Sequence, residues 1–107
     1  MLASTPPPPY YAVIFATTRE ASDDGYDEMA ARMVELAAER PGFLGIESSR
    51  SADGNGITVS YWASEEAIAA WKADADHTMA REAGRDRFYT AYTLRVAKVE
   101  RAYTWPH

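Results

Sequence analysis

His77 and Trp71, six positions apart, carry the most chemistry in a chain that has two histidines and three tryptophans. A histidine can take a proton from a bound ligand near neutral pH, as a general base. An indole offers a broad apolar face and a single N–H donor. Around this pair, Phe15, Tyr61, Trp62 and Ile68 are the candidate walls for a flat, apolar ligand. All of them also pack a core by default, and a ligand cavity is lined by the same residue types. His77 has a plain alternative as well. It stands beside Asp74 and Asp76, where a solvated histidine at a helix break is the ordinary expectation. On an unbroken helix it would point away from the stripe formed by Ile68, Trp71 and Ala75, so a catalytic role requires a break near Ala73.

Other chemistries find little support. The chain has no cysteine, so disulfides, thiolate metal sites and cysteine nucleophiles are absent. Asp23-Asp24, Glu65-Glu66 and Asp74-Ala75-Asp76 fall at expected helix starts or a helix break, where capping and solvation account for them. No HxH or HxxxH spacing is present, so no metal site is expected. Asp53-Gly54-Asn55-Gly56 reads as a turn, without the lysine and helix that a phosphate loop needs. Arg81, Arg85 and Arg87 could meet a ligand carboxylate, although a solvated face explains them better. A net charge of -5 over 107 residues presents no positive field for nucleic acid or anionic lipid. The beginning of the chain has neither the basic start nor the apolar core of a signal peptide, and no apolar run reaches membrane-span length. One small cytoplasmic domain is expected.

The elements that must position these residues are legible in order. Residues 1–9 end in Pro6-Pro7-Pro8-Pro9, an expected extended arm outside the domain, which begins at residue 10. Tyr10 to Thr18 alternates as a strand, with Tyr11, Val13, Phe15 and Thr17 on one side and Tyr10, Ala12, Ile14 and Ala16 on the other. Asp23 or Asp24 would cap a helix whose apolar stripe includes Tyr26, Met29, Met33 and Leu36, and Pro41-Gly42 would stop it. Phe43 to Arg50 is a second strand, joined by a tight connection at 51–56 to a third strand ending in Tyr61-Trp62. Ser64 caps a second helix, expected to falter near Ala73–Asp76, resume through 78–83 and stop at Gly84. Phe88 to Trp105 reads as a long final strand. Its apolar phase changes at Ala97-Lys98, which suggests a bulge or a strand that crosses onto a second sheet. The order β-α-β-β-α-β makes an α+β, ferredoxin-like unit with a four-stranded antiparallel sheet and both helices on one face. The other face keeps apolar side chains and needs a cover, which a second such sheet would supply.

Pro41-Gly42-Phe43-Leu44-Gly45, Tyr61-Trp62-Ala63-Ser64-Glu65-Glu66-Ala67, Trp71, His77 and Arg95-Val96 together resemble the antibiotic biosynthesis monooxygenase (ABM) domain of the dimeric α+β barrel superfamily. The resemblance spans roughly residues 10–105. It implies a homodimer whose two sheets close a dimeric α/β barrel, with a ligand cavity in each subunit between sheet and helices. It also implies cofactor-independent oxidation of an aromatic or quinol-like molecule, with His77 as base and Trp71, Phe15, Tyr61, Trp62 and Ile68 as the substrate-binding set. Some members of the family instead bind small molecules without catalysis or are associated with stress responses. Haem-degrading members carry an asparagine on the first strand and a histidine ten positions after the tryptophan. Here the first strand has no asparagine and the latter position is Arg81, which sets haem chemistry third.

Overall fold

A computed structural model of the chain describes residues 2–18, 26–81 and 91–106, and the side chains within them except at 26–31 and 78–81. Four strands and two helices follow in the expected order: β1 (Tyr10–Thr18), α1 (Tyr26–Ala38), β2 (Phe43–Arg50), β3 (Asn55–Trp62), α2 (Glu65–Arg81) and β4 (Ala91–Val99). The strands form one antiparallel sheet in the order β2-β3-β1-β4, the ferredoxin-like arrangement. The predicted helix cap at Asp23 or Asp24, the stop at Gly84 and the residues 88–90 lie outside the described residues.

Alternation along β1 decides which side chains meet the helices. Val13 is almost fully buried, and it clusters with Trp62 of β3, Ala37 of α1 and Ile68 of α2; Tyr11, Phe43, Ala67, Trp71 and Leu94 pack against that cluster. Cross-strand pairing puts Tyr11 opposite Trp62 and Phe15 opposite both Thr58 and Leu94. The odd-numbered positions of β1 therefore face the helices, and the even-numbered ones form an open face with Tyr61, Val59 and Glu47. Ser64 caps α2 as expected: its Oγ accepts the Ala67 N–H at 3.1 Å, and Glu65 and Glu66 occupy the first turn, where the helix dipole favours acids.

Two expectations are corrected. First, α2 runs without a break through Ala73–Asp76 to Arg81. The aspartates read as breakers are tied down instead, Asp76 by Lys72 at 2.8 Å one turn back and Asp74 by Arg40 at 2.8 Å from the loop after α1. Second, the register of β4 against β1 is continuous through Ala97 and Lys98, and the strand ends at Val99. The phase change there marks the end of pairing; the sheet's irregularity lies in β2, between Phe43 and Gly45. Beyond Val99 the chain leaves the sheet, with Tyr103 and Trp105 exposed at 89% and 82%. The proline arm touches the domain at two points. Ala3 N–H donates to Glu47 Oε2 at 2.9 Å, and the Thr5 hydroxyl donates to the Tyr10 hydroxyl at 3.1 Å.

Candidate functional site

Trp62 is completely buried, and the site is built around it. Its indole N–H donates to Ser60 Oγ at 2.8 Å, Phe43 meets its ring edge-on at 5.4 Å, and Trp71 lies against it at 5.5 Å, tilted by 35°. The strand sets Trp62 on the helix-facing side, and the capped start of α2 brings Ile68 and Trp71 back over it one turn apart. Trp62, Trp71 and Ile68 are thus one contiguous wall. With Trp62 and Ile68 buried, Trp71 is the member of the wall left in partial contact with its surroundings.

Trp71 also carries an unusual polar feature. Its Nε1 is buried and, among the described residues, has no hydrogen-bond partner. A buried donor left unmatched costs roughly 1–3 kcal/mol, so most such groups are paired. Thr17 Oγ1, on the same helix-facing side of β1, is buried and unpartnered too. Two residues before Thr17 on the same side is Phe15, with Leu94 opposite it on β4 and Tyr92 against it at 5.3 Å. Tyr92 and Val96 belong to this helix-facing side and are nevertheless exposed, because the helix contacts fall on β2 and β3. Phe15, Leu94 and Tyr92 thus form an aromatic shelf beyond the Trp62 cluster, with Thr17 at its far end.

The remaining predicted site residues are not brought together with this shelf. Tyr61 faces the opposite side of the sheet from Trp62, as alternation requires. It meets Tyr10 edge-on at 5.8 Å, and its hydroxyl donates to Glu47 Oε1 at 2.7 Å. His77 is exposed on α2. On that unbroken helix it lies about 120° around the axis from Trp71. Thr17 was missed in the sequence, although a signal existed: a polar residue stands there in the apolar phase of β1. An open groove of about 450 Å³ lies at the far end of the sheet, lined mainly by open-face positions such as Ala16, Thr18, Ser49, Asn55, Ile57 and Thr93. Thr17 and Tyr92 of the helix-facing side also line it, so the groove adjoins the shelf. Among the described residues, no group of three or more His, Asp or Glu side chains is placed to hold a metal ion.

The Tyr61–Glu47 pair gives the sheet a pH signature. The Tyr61 hydrogen bond, then the Ala3 amide, hold Glu47 below its ordinary value of 4.5. Burial, then the bond to Glu47 and its charge, push Tyr61 up from 10.0 to about 12. A depressed carboxylate stabilises the fold above its unfolded value, so this contribution is expected to fade as pH falls below about 4.5. A raised phenol stabilises below its unfolded value, so the Tyr61 contribution fades as pH climbs from 10.0 through about 12. Urea midpoints measured across pH should therefore fall at both ends, and Tyr61→Phe should flatten the alkaline limb. An alkaline limb unchanged in that variant would remove Tyr61 as its source.

The fold and the site define a ferredoxin-like α+β domain with an aromatic shelf on the helix-facing side of its sheet. Residues 9–83 match the family described as antibiotic biosynthesis monooxygenase, and the chain belongs to that family. It is 57% identical over 100 residues to the uncharacterized protein YqjZ of Bacillus subtilis (strain 168), covering 94% of this chain and 88% of that one. A shorter stretch of 43 residues is 40% identical to the jasmonate monooxygenase ABM of Pyricularia oryzae, covering 40% of this chain and 20% of that one. Among solved structures, SnoaB, a cofactor-independent oxygenase from Streptomyces nogalater, superposes with a TM-score of 0.69 at 17% identity, over 94% of this chain and all of that one. The NE2512 protein of Nitrosomonas europaea, of unknown function, superposes with a TM-score of 0.70 at 10% identity, over 90% and 94% of the two chains. At these identities the superpositions establish the shared fold.

Proposed function

We propose that this chain is a homodimeric, cofactor-independent monooxygenase that oxidises an aromatic or quinol-like small molecule on the shelf that lies on the helix-facing side of the sheet. The observation that carries the reading is the buried, unpartnered indole N–H of Trp71 at the edge of an aromatic wall. A flat ligand bearing an oxygen would stack on the shelf and accept that hydrogen bond. Family membership and the fold shared with a cofactor-independent oxygenase support the reaction class. The chemistry asks little of the protein. A phenol loses its proton, the resulting carbanion adds dioxygen, and the hydroperoxide loses water to leave a quinone; one oxygen atom enters the product and the other departs as water. The protein binds, orients and keeps water away. Because α2 is unbroken, His77 is exposed and turned away from Trp71, so it is not placed to act as base on a ligand held there. The exposed Tyr103 and Trp105, and the exposed Ile57 on the open sheet face, support a second copy as partner.

A second reading is a binding protein without turnover, and the exposure of His77 away from Trp71 favours it. Oxygen uptake with a panel of polycyclic phenols and quinols, with no added metal or flavin, separates the two. Uptake that requires both protein and ligand supports the oxygenase; tight binding without uptake supports the binder. Trp71→Phe keeps the ring and removes the N–H, and is expected to weaken ligand binding by about tenfold with the fold intact. Unchanged affinity would remove the indole N–H from the site. His77→Ala is therefore expected to leave turnover and affinity unchanged, and slowed turnover in that variant would restore it as base.

A further inference from the structure

The open sheet face is bare at one end and covered at the other. Ile57 is 54% exposed, whereas Tyr10, on the same face, is 5% exposed. What lies at the covered end is the chain's own N-terminal arm. We propose that this arm is an internal cover seated on Glu47, and that it competes with a second copy of the chain for the open face. This rests on the homodimer reading given above.

Three contacts fix the arm. Glu47 accepts the Ala3 N–H on one carboxylate oxygen and the Tyr61 hydroxyl on the other, so a single side chain joins the arm to β3. The Thr5 hydroxyl reaches Tyr10, which is edge-on to Tyr61. Ala3 comes so close to β2 that a Cβ on Gly45 would stand 2.9 Å from the Ala3 Cβ; a hydrogen at position 45 leaves the space that the arm fills. The four prolines that follow have restricted φ and no amide N–H, so the arm needs little ordering to dock and exposes no unmet donors there. A stiff segment with few donors suits a cover that lies over a sheet without joining its ladder. Because a face-to-face partner would need the surface around Gly45, Glu47 and Tyr61, arm and partner exclude each other there.

The test compares the full chain with a chain lacking residues 2–9 and with Glu47→Gln, by sedimentation equilibrium. Both variants are expected to self-associate about tenfold more tightly than the full chain. Equal or weaker association of the truncated chain, with the full chain dimeric, overturns the competition and leaves the homodimer standing. Monomers in every case overturn both. The seat itself is read separately by NMR at a dilution where the full chain is monomeric. There the Ala3 amide resonance should move markedly in Glu47→Gln, and an unmoved resonance shows that Glu47 does not hold the arm.

Discussion

Replacing Trp62 by alanine is expected to destabilise the fold by about 3–5 kcal/mol, a large share of the 5–15 kcal/mol typical of a domain. The indole is fully buried, and its neighbours come from three different elements: Phe43 at the start of β2, Trp71 in the middle of α2, and Ser60 on its own strand. Removing it opens a cavity at the meeting point of the sheet and α2, and leaves the Ser60 hydroxyl without its partner. Trp71 would also lose the surface that sets its ring. Chemical denaturation of Trp62→Ala measures the stability loss, and Trp62→Phe, which keeps much of the volume, should recover about half of it. A loss below 1 kcal/mol in the alanine variant would mean that the cluster is not the core of this fold.

Gly42→Ala is expected to cost about 2–4 kcal/mol, from two separable causes. Gly42 has φ +91°, a conformation that side chains with a Cβ rarely adopt. A Cβ placed there would also sit 2.7 Å from the Ala67 Cβ in the first turns of α2, too close for either to remain in place. The same residue accepts the Ala63 N–H on its carbonyl at 2.8 Å, so a shift at 42 is passed to the junction between β3 and α2. A double variant with Ala67→Gly should relieve the clash and retain the backbone strain. The interaction energy between the two substitutions therefore divides the causes. Additive losses would show that the close approach contributes nothing.

Much of this was legible in the residues. The alternation of β1 assigns Val13 and Phe15 to one face and Tyr10 to the other, and Ser64 with two following acids marks the start of α2. The second half of α2 was harder, because Asp74 and Asp76 are poor helix formers and the partner of Asp74, Arg40, is far away in sequence. The end of β4 was hidden for a similar reason: an apolar phase continues into a tail that leaves the sheet. The wall of Trp62, Trp71 and Ile68 could be drawn from spacing. That the Trp71 N–H and the Thr17 hydroxyl lack partners could not, since an unmet donor is a property of every neighbour at once. The arm on Glu47 was invisible too, because Ala3 and Glu47 are 44 positions apart and neither has a side chain that advertises the contact.

The strand order has a consequence for how the chain comes to be folded. β1 is an inner strand, and both of its partners, β3 and β4, come later in the sequence. The β2–β3 pair can close locally, but β1 must wait for it across the segment that carries α1 and then wait again for the residues up to Val99. A chain emerging from the ribosome thus carries a bare strand edge, rich in tyrosine, valine and isoleucine, until its last strand is released. That edge is a template for pairing with neighbouring nascent chains. Chaperone demand during synthesis should rise in proportion to how long β4 is delayed, a cost set by topology alone.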